Sequence, residues 1–337
     1  MSIRIVLPDG KIAKQALDGT FGGQLPLAGW GYRKKITIAG TADGALTNYP
    51  MKVYIHRTTG SDSDDNVYVG TKCLDTYNDI RFTKSDGTTF LPYWIETSDV
   101  TAATIWVRFD SIAASPAATA FYMYYGNPGA ASYSNGVNTF DKFDDFNGPA
   151  LDTSIWTQRG GTIAFSGGEI IITGNGTSES KLMMTGASTA NNIVIRTRGK
   201  SNDDIRLGTS TKVGTGDGRG YNYLVQDNTG AFFFLNDQVA WGSSYDSFII
   251  NTYYIMETWH DGSAVESRLN DGAVRSQTWS GRSGYPALSV SPQSGVTCTY
   301  SWAFVRTKSP TEPTWSSWGA EEAGLLLYES QGSSIHL

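Results

Sequence analysis

Apolar and polar residues alternate with a period of two along most of the chain, in runs short enough to be strands. Tyr32-Arg33-Lys34-Lys35-Ile36-Thr37-Ile38 and Met51-Lys52-Val53-Tyr54-Ile55 are the first clear cases. Asp79-Ile80-Arg81-Phe82-Thr83 follows, and Ser85-Asp86-Gly87-Thr88 supplies a hairpin turn into Leu91-Pro92-Tyr93-Trp94-Ile95. Thr104-Ile105-Trp106-Val107-Arg108-Phe109 and Ala120-Phe121-Tyr122-Met123-Tyr124-Tyr125 come next, closed by Gly126-Asn127-Pro128-Gly129. No segment sustains a helical period. The pattern predicts a sandwich or barrel over residues 29–138.

The rhythm resumes at Phe140. Tyr253-Tyr254-Ile255-Met256-Glu257-Thr258-Trp259 turns at Asp261-Gly262 into Ala264-Val265-Glu266-Ser267-Arg268-Leu269. Asn270-Asp271-Gly272 then feeds Ala273-Val274-Arg275, which predicts a three-stranded meander. Tyr300-Ser301-Trp302-Ala303-Phe304-Val305-Arg306 reads as a closing strand, and Trp318-Gly319-Ala320-Glu321-Glu322 as the end of a second domain, 139–322. Residues 1–28 read as an arm and 323–337 as a tail. Ile3, Ile5 and Leu7 alternate on a Gly-rich tether, and an isolated strand cannot bury its own apolar side. It must pair with the body or with a neighbouring subunit. These three residues, with Leu325, Leu326 and Leu327, are the expected assembly contacts of a homo-oligomer.

Composition fits this reading. A chain of 337 residues is long enough for two domains. Charged residues are 17%, below the usual ~25%, while 38 Gly and the 18 Tyr, 14 Phe and 10 Trp favour turns and strands. The net charge of -6 comes with no basic block, which argues against a nucleic-acid partner. Arg33-Lys34-Lys35, the nearest thing to one, is expected to be a solvated strand end. Cys73 and Cys298 are too far apart in sequence for a metal-ligand motif and read as free, structural thiols; His56, His260 and His336 are scattered. No apolar run approaches the ~18–20 residues of a membrane span. Arg4 and Pro8 interrupt the first apolar stretch, so synthesis in the cytosol without an export signal is expected. Asn175-Gly176-Thr177 is a glycosylation sequon that matters only if the chain is exported.

Two resemblances add to this. Trp30-Gly31-Tyr32-Arg33-Lys34-Lys35-Ile36, Asp79-Ile80-Arg81-Phe82, Asp86-Gly87, Tyr93-Trp94-Ile95-Glu96, Ile105-Trp106-Val107 and Tyr124-Tyr125-Gly126-Asn127 resemble a family of β-sandwich domains of unknown function found in archaeal, bacterial and viral surface proteins. Asp144-Asp145-Phe146, Leu151-Asp152 with Trp156, the Trp259–Asn270 meander and the Tyr300–Arg306 strand resemble a concanavalin A-like lectin/glucanase jelly roll. The second resemblance implies a sugar-binding fold, and a fold alone does not carry function.

Glycoside hydrolysis needs two carboxylates held ~5–9.5 Å apart. The glucanase pattern Glu-x-Asp-x-x-Glu is absent, and the closest pair, Glu257 and Asp261, is broken by the Asp261-Gly262 turn. The expectation is therefore no enzyme. Calcium, which takes oxygen ligands, is the one cofactor the residues admit, at Asp141, Asp144 and Asp145 or at Asp62, Asp64 and Asp65. Trp241, Trp279, Tyr221 and Tyr223, with Arg219, sit in loop-like surroundings and are the candidate sugar contacts. Trp30, Trp94, Trp106, Trp156 and Trp302 lie in strand patterns and are expected in the core.

Two functional readings follow. One is a virion or appendage structural protein, a fibre, spike or decoration subunit, displaying a lectin-like domain at the virion surface. Its partners would be its own copies, other particle proteins and host-surface glycans, without membrane insertion. The alternative is a secreted or cell-surface carbohydrate-binding protein. A polysaccharide hydrolase trails both.

Overall fold

The computed structural model describes residues 4–6, 12–14, 25–176, 180–185, 192–203, 205–210, 223–226, 232–236, 240–241, 249–260, 263–278, 285–290 and 294–324. The fold is all-β, and among the described residues helix is confined to the single turns Gly136–Thr139 and Gly70–Lys72. None of the described helices is long and apolar enough to cross a membrane. The chain forms two compact units, residues 1–135 with 311–337, and 136–310.

In the first unit one sheet runs in the order Thr314–Trp318, Tyr32–Ala39, Ala118–Tyr125, Arg81–Thr83, Phe90–Leu91. The other runs Asn66–Tyr68, Leu46–His56, Ala102–Ile112, Tyr93–Ser98. Alternation explains both, because inward residues such as Ile36, Ile38, Val53, Ile55, Ile105, Val107, Phe121 and Met123 make one core between the sheets. The expected strand through Leu91-Pro92-Tyr93 is in fact two. Pro92 has no N–H to give a ladder, and the chain changes sheets there.

The expected boundary of the second domain needs correction. Residues 311–324 do not end it; they return to the first unit. Thr314–Trp318 pairs antiparallel with Tyr32–Ala39, and Glu322–Ala323 pairs further along the same strand. Trp315 and Trp318 stack at 5.4 Å and pack against the first core. Tyr49 Oη donates to Glu312 at 2.6 Å and Tyr125 Oη to Glu321 at 2.6 Å, while Arg33 pairs with Glu322 at 2.7 Å. Sequence pattern could not show this, because Thr314 meets its antiparallel partner Ala39 across 275 positions of sequence, and such a separation leaves no local signal.

Three of the motifs quoted above meet at Asp79, which is buried. Its Oδ1 accepts from Leu74 N at 3.0 Å, and its Oδ2 from Gly126 N at 2.7 Å and Asn127 N at 3.3 Å. Its carbonyl accepts from Trp30 Nε1 at 2.7 Å. Arg81 lies between the rings of Trp30 and Tyr133, 5.3 Å from each, and donates to the carbonyls of Asn78, Ile80 and Ala131. Lys34 corrects a further expectation. It is buried rather than solvated, donating to Asp62 Oδ2 at 2.6 Å and to the Tyr68 carbonyl at 2.8 Å.

In the arm, Arg4–Val6 pairs with Ile12–Lys14, so the strand finds its partner within the arm itself. Ile5 lies in that ladder; Ile3, Leu7, Leu325, Leu326 and Leu327 lie outside the described residues.

The second unit is a two-sheet antiparallel sandwich. One sheet runs Thr162–Phe165, Ile170–Thr173, Thr297–Thr307, Ile193–Ser201, Tyr254–His260, Ala264–Leu269, Arg275–Thr278, with Lys142–Asp144 also on Thr297–Thr307. The other runs Trp156–Arg159, Ser180–Met184, Tyr285–Val290, Ile205–Ser210, Tyr223–Gln226, Phe232–Asn236, Ala240–Trp241. The chain switches repeatedly between the sheets, the connectivity of a jelly roll. The meander forms as expected. Asn270 and Asp271 both take positive φ, 47° and 58°, as a tight hairpin turn requires. Ile170, Ile172, Ile193, Ile195, Met256, Leu288, Cys298 and Tyr300 fill the core. Both cysteines are buried, one in each unit, and neither is in a disulfide.

Two tests follow. Ending the chain after Pro310 should remove the first unit's calorimetric unfolding transition and leave that of the second; retention of both would contradict the strand assignment. The second concerns the turn at Asp86, whose carboxylate accepts from the Thr89 hydroxyl and from the Thr88 and Thr89 amides, which lowers its pKa to about 2. A depressed acid contributes stability above its unfolded value of 3.8 and loses it as pH falls through about 2. NMR titration should place the Asp86 midpoint near 2, and Asp86→Ala should flatten the stability curve across that window.

Candidate functional site

The acidic candidates of the sequence lie within the described residues. Asp144 accepts from Phe146 N and from Trp156 Nε1, both at 2.8 Å, and burial raises its pKa. Asp145 caps Asn147 N at 3.3 Å, and Asp141 accepts from Thr307 N at 3.2 Å. Asp62 is paired with Lys34, Asp65 Oδ1 accepts from Asn66 Nδ2, and Asp64 offers its carbonyl to Trp318 Nε1. Among the described residues no group of three or more His, Cys, Asp or Glu is placed to hold a metal ion. The carboxylates of Asp141, Asp144 and Asp145 accept from backbone amides at turns and strand ends.

Trp241 and Tyr223 belong to strands rather than loops. Trp241 pairs with Leu235 at one end of the second sheet, and Tyr223 pairs with Leu235 on one side and Gly208 on the other. Arg219, Tyr221 and Trp279 lie outside the described residues, as does Asp261. Trp94, Trp106, Trp156 and Trp302 are buried as expected; Trp30 is half-buried and outside any strand.

What the structure does assemble lies on the Ile193–Ser201 strand. Ile193 and Ile195 face the core, so Val194, Arg196 and Arg198 take the opposite face of the sheet. In the ladder Arg196 sits opposite Glu257, which sits opposite Arg268. Arg196 Nη1 donates to Glu257 Oε2 at 2.9 Å and to Asp271 Oδ1 at 2.8 Å, and its Nη2 to Asp271 Oδ2 at 2.9 Å. Arg268 Nη2 donates to Glu257 Oε1 at 2.7 Å. Arg196 is fully buried and Glu257 is 1% exposed. Two cations and two anions thus close on one another, and Glu257 is an ion-pair partner rather than a poised acid.

One step along the strand the face opens. Arg198, Lys200, Glu169, Tyr253 and Ser301 are all half-buried. The Tyr253 ring carries the Arg198 guanidinium 3.9 Å from its centroid and the Lys200 ammonium 4.3 Å away. Tyr253 Oη donates to Glu169, 2.6 Å from Oε1 and 2.7 Å from Oε2. Ser301 Oγ donates to Glu169 Oε1 at 2.6 Å and accepts from Arg198 Nη1 at 2.9 Å. Burial and the hydrogen bond to Glu169 raise the Tyr253 phenol above its ordinary value, so it stays protonated and continues to donate. The signal was present in the sequence as Arg196-x-Arg198-x-Lys200, three cations at alternate positions of a strand. The closing strand and the residue before the meander supply the rest.

Fold and face together define a jelly-roll β-sandwich with a built polar patch on one sheet. Residues 76–159 match the family described as a domain of unknown function, DUF2341, which takes in the Asp79 and Gly126 motifs and covers 84 of 337 residues. No curated protein matches in sequence. Among solved structures, the carbohydrate-binding module CBM66 from Bacillus subtilis aligns with 47% of this chain and 98% of its own, at 19% identity and a TM-score of 0.37. A protein of unknown function, SO2946 from Shewanella oneidensis MR-1, aligns over 50% of this chain and 87% of its own, at 16% identity and a TM-score of 0.37. The Bacillus licheniformis β-glucanase aligns over 50% and 98%, at 10% identity and a TM-score of 0.36.

The ion-pair row makes a direct prediction. Removing one member of a buried pair leaves an uncompensated charge, at a cost of about 3–5 kcal/mol. Arg196→Ala should lower the second unit's denaturant midpoint accordingly and leave that of the first unit unmoved.

Proposed function

We propose that the second unit is a non-catalytic glycan-binding module whose contact surface is the Tyr253 patch. The observation that carries this reading is the arrangement of Arg198, Lys200, Glu169 and Ser301 around one half-exposed aromatic ring. Sugars are bound by cooperating donors and acceptors beside an aromatic or apolar surface. Arg198 keeps donors beyond its bond to Ser301, Lys200 offers its ammonium, and the Tyr253 and Ser301 oxygens retain acceptor capacity. The bonds among these groups fix their rotamers before any ligand arrives, which reduces the ordering cost of binding. The neighbouring ion-pair row stiffens the same strands.

The module is proposed as a binder because the acid nearest a catalytic position, Glu257, is held by two arginines. Display in many copies, on a particle or a cell surface, would raise avidity by ~10²–10⁴ without new contacts.

A glycan panel should give binding without oligosaccharide release. Tyr253→Ala should weaken it about tenfold, ~1.4 kcal/mol, with little change in melting temperature. Undiminished binding by that variant would move the site elsewhere, and released oligosaccharides would make the unit an enzyme.

A further inference from the structure

We infer that the Tyr253 patch selects acidic glycans, reading a sugar carboxylate with Arg198 and Lys200; this rests on the glycan-binding reading above. The argument is a contrast between neighbouring positions of one strand. At Arg196 every charge is answered, with two arginines facing Glu257 and Asp271. At Arg198 and Lys200 the balance is different. Glu169 is the carboxylate of the patch, and it accepts from the hydroxyls of Tyr253 and Ser301. Among the described residues neither Arg198 nor Lys200 has a carboxylate within salt-bridge distance. Two cations against one anion leave the patch with one net positive charge on a protein whose net charge is -6.

The geometry suits a carboxylate. Both cations lie against the same ring, 3.9 Å and 4.3 Å from its centroid, and each carries donors that an anionic group at that ring can use. Arg198 donates to Ser301 from Nη1, which leaves its Nη2 edge for the fork geometry that guanidinium and carboxylate share. Half-burial raises the strength of such a pair above that of a fully solvated one, because screening by water is reduced. Tyr253 Oη and Ser301 Oγ lie beside the cations and can accept from adjacent sugar hydroxyls.

The test compares an oligogalacturonate with its methyl ester, which keeps every hydroxyl and loses the charge. Calorimetric titration of the full chain should show the acid binding at least tenfold tighter at low salt, with the gap narrowing at high salt. Arg198→Gln and Lys200→Gln should each erase that preference by lowering affinity for the acid at least tenfold more than affinity for the ester, and circular dichroism should report unchanged folding. Equal affinity for acid and ester would overturn the selectivity and leave the glycan-binding reading standing. Absence of binding to both, with a neutral glucan and galactan also silent, would overturn the two readings together.

Discussion

The pairing of Thr314–Trp318 with Tyr32–Ala39 is the contact on which the organisation of the chain depends. Without it, Tyr32–Ala39 would present an open row of N–H and C=O groups along one side. The first core would also lose the indoles of Trp315 and Trp318, which pack against its rim. Around that ladder the same segment adds Glu312, Glu321 and Glu322, each meeting a partner from the first half of the unit. A strand so firmly placed makes everything between Asn135 and Thr311 an insertion. The jelly roll is therefore joined to its host at both ends.

The two units handle buried charge in related ways. Asp79 is satisfied by backbone amides from two separate loops, so one carboxylate fixes the turn after Ala118–Tyr125 to the segment before Arg81–Thr83. Arg196 is satisfied by side chains, Glu257 and Asp271, across the strands of a sheet. In both cases the low-dielectric surroundings make an unanswered charge costly, and the structure answers it. Arg198 and Lys200 stand out against that background, since they are close enough to the same sheet to be positioned by it and exposed enough to meet a ligand.

The strands were largely legible because their alternation is local. Tyr32–Ala39, Leu46–His56, Ala102–Ile112, Ala118–Tyr125 and the meander all appear where their apolar periods place them. What escaped was long-range. Trp315 and Trp318 belong with Ile36 and Ile38, but nothing in a window of ten residues says so. The acidic candidates show the same limit of local pattern. Asp141, Asp144 and Asp145 are close in sequence and each has its own acceptor task, whereas Glu169, Arg198, Tyr253 and Ser301 come from four separate segments. Sequence proximity is a poor guide to a site on a sheet, because neighbours across strands are brought together by register.

The late return of the chain also sets an order of events during synthesis. At ~5–20 residues per second, the ribosome needs on the order of ten to forty seconds to make the stretch separating Asn135 from Thr311. By the end of that interval the inserted jelly roll has its strands, while its host still lacks Thr314–Trp318. The guest can mature while the host waits, with the flank of Tyr32–Ala39 still unclaimed and open to any passing strand. A nascent chain of this design is most vulnerable to mispairing while the insertion is being made, and Thr314–Trp318 acts as its latch.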